Sequence, residues 1–172
     1  MSQRLKNYIT ALMIIATAIA LVLVWKESEE ERINRKFSTL IATAEIVVRR
    51  TPEQIDEQIE QLEPFFTQDC QIQVYHSGPV FRSRDDFLDF ARSVLLDAHK
   101  INFITAYRQL RVEKDHRHAE LRAMIKIKAL MGKNDDEAAG TGFCQVFWVK
   151  QKGEWRIYDF SLPRVQPPDW EN

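Results

Sequence analysis

The sequence predicts one small α+β domain carried behind a single N-terminal transmembrane helix. Three observations support this fold class. An uncharged apolar run lies near the N-terminus, helical spacing of apolar residues follows it, and the second half of the chain alternates with a period of two. Helices grouped ahead of a set of strands are typical of α+β domains, in which the helices cover one side of an antiparallel sheet. The 172 residues allow one such domain and an appendage.

The apolar run from Tyr8 to Trp25 is the predicted anchor. About 20 helical residues cross a hydrocarbon core of about 30 Å, and the two aromatic rings lie where amphipathic side chains prefer the headgroups. A cleaved signal peptide is the alternative, because Ala18-Ile19-Ala20 resembles a cleavage site, but the apolar run continues beyond it. We therefore predict a short tail at 1–7, an uncleaved helix at 8–25 and a charged linker at 26–32.

The charge distribution bears on topology and on one class of partner. Arg4, Lys6 and Lys26 are the only basic residues before Glu27, so the remainder of the chain carries a net charge of −4. A mildly acidic domain does not suit the phosphate backbone of nucleic acid. The Lys and Arg counts favour neither orientation, and the simplest topology keeps the short tail in the cytoplasm. The prediction is thus a single-pass membrane protein with an extracytoplasmic domain, periplasmic if the source is bacterial.

Three helices are predicted between the anchor and residue 100. The first, which could continue from the anchor, has one apolar face formed by Ile33, Phe37, Leu40, Ile41, Ala44, Val47 and Val48. The second starts at a capping box, with Thr51 as N-cap, Pro52 in the first helical position and Gln54 as the box partner. The third is capped by Ser83, and its apolar face is formed by Phe87, Phe90, Ala91, Val94 and Leu95.

The rest of the domain is predicted to be strands, with one short strand at 70–75 preceding the third helix. Residues 102–113 alternate imperfectly, as in a bulged strand, and every odd position from Ala119 to Ala129 is apolar. We further predict a polar loop at 132–140, a strand at 143–149, a tight turn at Lys152-Gly153 and a last strand at 155–162. The C-terminal residues 166–172 are predicted to be irregular.

Three short motifs, in this order, resemble those of the NTF2-like superfamily, which includes SnoaL-like and ketosteroid-isomerase-like domains. They are the aromatic and acidic pattern at Phe65–Cys70, the Ser-Arg-Asp-Asp helix opening within Phe81–Phe87, and the Gly-x-Trp-Arg-Ile strand opening at Gly153–Ile157. The resemblance covers about residues 33–165 and implies a cone of three helices packed on a curved antiparallel sheet. The superfamily includes enzymes, ligand pockets and interaction modules, so the fold leaves activity open. Membrane-anchored members occur as extracytoplasmic subunits of bacterial envelope assemblies, including a type IV secretion component.

The resemblance also implies what catalysis would require. A ketosteroid-isomerase-like enzyme uses an Asp base after the first strand, with a Tyr and a second acid as oxyanion donors. Here the base position falls on Gln73, Val74 and Tyr75, and the first helix has no Tyr. Asp159 is the remaining candidate, because alternation places it on the strand face of Trp155 and Ile157. The predicted pocket lining is Tyr75, Phe90, Tyr107, Phe147, Trp155 and Asp159.

The remaining polar and sulfur groups carry weaker signals. The four histidines lack a carboxylate-rich ligand set, so no metal and no cofactor is predicted. The resemblance implies that the last strand lies between the first strand and the strand that carries Cys144. Cys70 and Cys144 would then be about two strand spacings apart, roughly 9–10 Å, beyond the reach of a disulfide, so both are predicted to be buried and unpaired. Arg122, Lys126 and Lys128 share the outer strand face, which is either solvated or an interface in a dimer.

Two functions remain open at this point. The leading hypothesis is a non-catalytic binding or scaffold domain at a membrane surface, which assembles with itself or with partner proteins. The alternative is a pocket for a small apolar ligand, with or without isomerase- or dehydratase-like catalysis through Asp159. The interior of the cone discriminates between them. A wide cavity with convergent polar groups favours the alternative, and an interior filled by Trp155, Phe147 and Phe90 favours the scaffold.

Overall fold

A computed structural model describes residues 27–74 and 78–161. Its helices are α1 (Glu29–Ala44), α2 (Pro52–Leu62) and α3 (Arg84–Asp97), with a 3-10 turn (Glu63–Phe65) after α2. Its strands are β1 (Phe66–Gln73), β2 (Val80–Phe81), β3 (Ala98–Val112), β4 (His118–Met131), β5 (Asp136–Gln151) and β6 (Glu154–Ser161). The α+β class is confirmed.

The predicted membrane span at 8–25 lies outside the described residues. The tail at 1–7, Tyr75 and residues 166–172 lie outside them as well. Among the helices of 27–74 and 78–161, none is long and apolar enough to cross a membrane.

The six strands form one sheet in the order β2-β1-β6-β5-β4-β3. The last strand lies between β1 and β5, as predicted. Neighbouring strands are antiparallel except β1 and β6, which are parallel. The expectation of a wholly antiparallel sheet is therefore wrong, because three successive hairpin reversals after β3 bring β6 back alongside β1 in the same direction. On the sheet, α1 contacts β3 and α3 contacts β1.

The start of α1 corrects the predicted linker. Ser28 is extended, its hydroxyl accepts a hydrogen bond from the Glu31 amide, and its own amide donates to the Glu31 carboxylate. This capping box fixes the first helical residue at Glu29, inside the stretch predicted as linker, and excludes a helix that runs unbroken through Ser28. The predicted capping box of α2 and the Ser83 cap of α3 are confirmed.

The end of α1 corrects the first predicted helix. The helix stops at Ala44, and Ile46 pairs with Ile101 of β3 through two backbone hydrogen bonds of 2.9 Å. Because this bridge draws the backbone away from the helical path, Val47 and Val48 do not reach the core. They are 75% and 73% exposed, although helical spacing predicts them on the buried face.

Several strand boundaries differ from the prediction. β1 begins at Phe66 and β3 at Ala98, each four residues early, and the short strand β2 was not predicted. The predicted polar loop at 132–140 is mostly strand, because a tight turn with positive φ at Gly132 (69°) and Asp135 (55°) joins β4 directly to β5. The bulge in β3 and the tight turn at 152–153 are confirmed.

The core connects the first turn of α1 to the hairpin of β5 and β6. Trp148 and Trp155 are its largest side chains, and neither is more than 1% exposed. The Trp155 indole donates to Glu29 Oε2 at 2.6 Å, and Lys150 Nζ donates to Glu29 Oε1 at 2.6 Å. The Lys150 hydrogen bond is the main cause that lowers the pKa of Glu29. Residues more than 120 positions apart are thus tied at one end of the cone.

Candidate functional site

A cavity of about 440 Å³ lies between the helices and the inner face of the sheet. The helices contribute Phe37, Leu40 and Ile41 from α1 and Phe87, Phe90, Ala91 and Val94 from α3. Ile127, Ala129 and Met131 of β4 and Ala138, Ala139 and Gly140 of β5 contribute from the sheet. Pockets for small ligands have about 300–1,000 Å³, so the volume suits a small molecule.

The predicted apolar face of α3 lines this cavity. Phe87, Phe90, Ala91 and Val94 are only half-buried, although all four carry apolar side chains toward the interior. A helix face packed against protein would be buried throughout. The partial exposure of this face therefore means that water reaches the cavity along α3.

Every side chain in the cavity lining is apolar. General acid–base catalysis needs a proton donor or acceptor about 2.6–3.2 Å from the reacting atom, or one water away. Oxyanion stabilisation similarly needs hydrogen-bond donors aimed at the reacting oxygen. The lining formed by the described residues offers neither. It offers apolar surface and shape.

The structure brings only some of the predicted pocket residues together. Phe90 lines the cavity as predicted. Trp155 is buried in the core but is not part of the lining, because its ring packs toward Glu29 and Lys150. Tyr75 lies outside the described residues.

Tyr107 and Phe147 lie on the outer face of the sheet, which corrects their prediction as pocket residues. Tyr107 stands at the β3 bulge with a φ of 46°, is 63% exposed, and contacts Phe143 with ring centroids 6.3 Å apart. Phe147 packs on Tyr158 at 6.1 Å. In the first case the bulge turns the residue outward, and in the second Phe147 alternates with the buried neighbours Val146 and Trp148.

Asp159 also lies on the outer face and not in the cone. The register of β6 with β5 shifts at Tyr158, so that Asp159 pairs with Phe147 and Phe160 takes the inward position. A bulge adds one residue to a strand and so reverses the alternation beyond it. Phe160 lines the cavity, whereas Asp159 does not. The prediction that Asp159 shares the face of Trp155 is therefore wrong.

The Asp159 carboxyl gives a testable pH dependence. Burial raises its pKa above the ordinary value of 3.8. The charged form therefore destabilises the folded state above the raised pKa, and this cost disappears as the pH falls through it. We expect Asp159→Asn to stabilise the protein by less than about 1 kcal/mol at pH 7, with a gain that shrinks toward pH of about 4.

Urea unfolding of wild type and variant at both pH values measures this difference. Asp69→Asn, which replaces an exposed carboxylate of β1, is the matched control. A loss of stability in Asp159→Asn that is the same at both pH values would contradict the assignment of an unfavourable, partly buried charge.

The two cysteines are buried and unpaired, as predicted. Burial raises the pKa of the Cys70 thiol and of the Cys144 thiol to about 11 in each case. Since the thiolate is the nucleophilic form, both thiols are protonated and unreactive at neutral pH. They pack as small apolar side chains.

Sequence analysis missed one group of potential metal ligands. Glu113, Asp115 and His118 meet at the β3–β4 hairpin, with their ligand atoms within 4.8 Å of one another. The Asp115 carboxylate accepts from the amides of Arg117 and His118 and contacts the His118 ring at 2.7 Å. These bonds, led by the Arg117 amide, lower the pKa of Asp115 to about 2. The cluster is thus explained by closure of the hairpin turn.

The outer sheet face carries the predicted interface residues. Arg122, Lys126 and Lys128 are exposed there, and an apolar patch formed by Ile104, Tyr107 and Phe143 is 51%, 63% and 54% exposed on the same face. Exposed apolar side chains grouped on one face are typical of interaction surfaces. The role of the three charged residues in an interface stays a prediction, which a comparison of the solution masses of wild type and an Arg122→Glu/Lys126→Glu variant would test.

Comparison with known proteins assigns the domain. A family model of the SnoaL-like domain matches residues 47–160, well over half of the chain. The chain belongs to the SnoaL-like domain family. Comparison with curated protein sequences gave no significant match. The resemblance deduced from the three motifs is therefore confirmed at the level of the family.

Solved structures show that the SnoaL-like domain has the expected fold. A provisionally assigned scytalone dehydratase from Novosphingobium aromaticivorans matches with a TM-score of 0.68 and 14% identity, over 84% of this chain and 89% of its own. A hexachlorocyclohexane dehydrochlorinase (LinA type 2) matches at 0.63 and 11%, over 81% and 93%. An NTF2-like protein with a cystatin-like fold, also from N. aromaticivorans, matches at 0.58 and 12%, over 90% of each chain. At such identities the likeness is one of fold.

Proposed function

We propose that this SnoaL-like domain binds a small, predominantly apolar molecule inside its cone and that the cavity residues perform no chemistry on it. The observation that carries the proposal is an open cavity of about 440 Å³ with an entirely apolar lining. The sequence left open a non-catalytic scaffold domain and a pocket for an apolar ligand. The present proposal combines the non-catalytic role of the scaffold hypothesis with the apolar pocket of the alternative.

The polarity of the lining selects the class of ligand. Burial of apolar surface contributes about 25 cal/mol per Å², so a hydrocarbon group gains from entering. A polar group without a partner costs about 1–3 kcal/mol when it leaves water, on the scale of protein mutations, and this lining has no side-chain partner to offer. A ligand with one polar end would therefore keep that end at the mouth.

Filling the cavity is expected to weaken ligand binding strongly. Ala91 of α3 and Ala129 of β4 both line the cavity and are half-buried, so the Ala91→Phe/Ala129→Phe double variant places two rings in the ligand space. Ala42→Phe, on the exposed side of α1, is the matched control. Uptake of a fluorescent fatty acid, measured by energy transfer from tryptophan, should weaken at least about tenfold, or about 1.4 kcal/mol.

Two further readouts complete this experiment. Solvent extraction of the purified full-length protein, followed by mass spectrometry, should recover an apolar molecule from wild type and from Ala42→Phe but not from the double variant. Equal uptake by all three proteins would show that the cone is not the binding site.

A membrane location is the second part of the proposal. The uncharged run at 8–25 supports a single span ahead of the domain, with the domain on the extracytoplasmic side. The protein should stay in the membrane fraction after a high-salt and carbonate wash and keep its N-terminal residues. Recovery of soluble protein that begins near residue 21 would indicate a cleaved signal peptide instead.

Catalysis through Asp159 is not part of the proposal, because Asp159 and the cavity lie on opposite faces of the sheet. Self-association is compatible with it. The apolar patch on the outer face supports an interface there, and the cone would remain open to ligand on the other side of the sheet.

A further inference from the structure

A second concave site lies away from the cone. It is a groove of about 460 Å³ between the turn that follows α1 and one face of α2. The turn supplies Val47, Val48, Arg49 and Arg50, and the helix supplies Gln54, Glu57, Gln58 and Gln61. The spacing of these four helical residues puts them in one stripe, so the stripe forms one wall and the turn forms the other.

One buried group in this groove lacks a partner. Gln58 is only 1% exposed, and its amide nitrogen donates to the main-chain oxygens of Thr43 and Glu45. These two bonds fix the orientation of the amide and leave Oε1 as the acceptor. Among the described residues no donor reaches this oxygen. Buried polar atoms are normally hydrogen-bonded. This oxygen is enclosed in the wall of the groove, and a small movement of the Gln58 side chain would present it to a ligand N–H.

The turn adds charge and exposed apolar surface beside this acceptor. Arg49 is exposed and makes no ion pair with any residue in the described ranges, and Arg50 donates only to the main-chain oxygen of Glu45. Both guanidinium groups remain available to a carboxylate, which arginine binds well through its planar fork. Val47 and Val48 are among the most exposed large apolar side chains of the domain.

The helical stripe matches a peptide main chain. Gln54 and Gln61 present exposed amide groups, which have the same donor and acceptor chemistry as the main chain. The stripe spans about 10 Å at 1.5 Å per residue, the length of about three residues of extended peptide. The side-chain oxygen of Gln54 accepts from the Thr51 amide at the start of α2. Its NH₂ group donates to no acceptor within the described residues and is available to a ligand.

We propose that this groove binds an extended segment of a partner protein, with one acidic residue between apolar ones. In this arrangement the main-chain N–H of the segment donates to Gln58 Oε1, its carboxylate pairs with Arg49 and Arg50, and an apolar side chain packs on Val47 and Val48. Glu57 lies in the same stripe and disfavours a segment with several acids. The groove and the cone share no lining residue. The peptide proposal can therefore be tested independently of the proposed ligand in the cone.

The test uses a blocked, fluorescent five-residue peptide with glutamate between valines, titrated with the full-length protein in detergent. Fluorescence anisotropy should show saturable binding at about 0.1 M salt. At this ionic strength charges are screened beyond about 10 Å, so binding reports contacts at close range. Arg49→Glu should weaken this binding at least about tenfold, and Arg82→Glu, an exposed arginine outside the groove, should leave it unchanged. A peptide with glutamine in place of glutamate should bind the wild-type protein more weakly than the glutamate peptide does, by a similar factor of at least about ten.

Gln58→Met provides a second test of the acceptor. It should also lose peptide binding, and urea unfolding followed by circular dichroism reports whether the variant is folded. Should Gln58→Met fail to fold, the Arg49→Glu and Arg82→Glu pair still decides the question.

Four results would overturn the proposal. The first is no saturable binding up to about 1 mM. The second is equal binding by wild type and Arg49→Glu. The third is displacement of the labelled peptide by free phosphate as readily as by unlabelled peptide, which would mark a simple anion site. The fourth is loss of binding to anionic phospholipid vesicles in Arg49→Glu without any peptide binding, which would assign the groove to a membrane surface.

Discussion

Trp155→Ala is expected to lower the free energy of unfolding by about 3–5 kcal/mol, the range measured when a large aromatic side chain is removed from a core. Trp155 is 1% exposed, and its indole donates to Glu29 at 2.6 Å. The substitution therefore leaves a cavity and also removes a hydrogen bond to a charged group. Because small domains have only about 5–15 kcal/mol of stability, the loss is a large share of the total.

Trp155→Phe separates the two contributions. It keeps an aromatic ring in the core and removes the donor to Glu29, a hydrogen bond to a charged group that is worth about 1.5–3 kcal/mol. Since the pKa of Glu29 is lowered in the folded protein, this part of the stability is present above the ordinary pKa of 4.5 and is lost as the pH falls below it. The Phe variant should therefore approach wild type in acid.

Urea unfolding followed by circular dichroism measures both variants, with Leu96→Ala as a control at an exposed apolar position. If Trp155→Ala does not fold, Trp155→Phe still gives the pH-dependent difference. A cost of less than about 1 kcal/mol for the Ala variant would mean that the end of the cone is not held as described.

Phe160→Asn is expected to weaken uptake of an apolar ligand by about 100-fold, whereas Asp159→Asn leaves it unchanged. Phe160 lines the cavity, and the adjacent Asp159 faces the other side of the sheet. The substitution removes an apolar contact worth about 1.5–3 kcal/mol and sets an unpaired amide against the ligand, which costs about 1–3 kcal/mol. The lower ends of these two ranges add to about 2.5 kcal/mol, close to the roughly 2.7 kcal/mol that corresponds to a 100-fold change in affinity.

Asp159 and Phe160 are a matched pair, because they are adjacent in β6 and their side chains lie on opposite faces of the sheet. Both variants are titrated with the fluorescent fatty acid, and urea unfolding shows that each is folded. If Asp159→Asn loses uptake and Phe160→Asn does not, the bulge at Tyr158 is misplaced and the catalytic hypothesis for Asp159 returns.

Local signals in the sequence predicted the helices and hairpins well. The capping box at Thr51, the Ser83 cap and the turn at 152–153 each involve residues within three positions of one another, so a short window contains the whole interaction. The family resemblance added the position of the last strand and, with it, the separation of Cys70 and Cys144.

The errors in the candidate site arise from interactions between distant parts of the chain. Strict alternation places Asp159 on the inner face, and only the pairing of β6 with β5 shows the bulge that turns it outward. Val47 and Val48 continue the helical face of α1, and only the bridge from Ile46 to β3 shows why the helix stops. A cavity is equally invisible to pattern analysis, because the residues that line an open space and those that fill a core are apolar alike.

The parallel pairing of β1 with β6 has a consequence for how this domain is made. β6 is the last strand in the chain, yet it lies between β1 on one side and β5 on the other. Until β6 has been synthesised, the sheet consists of two separate pieces with unpaired edges. Glu29, in the first turn of α1, also lacks its hydrogen bond from Trp155 until then. Such long-range closure is slow and leaves unpaired edges prone to aggregation. During its synthesis the domain therefore exposes unpaired strand edges until its final strand is in place.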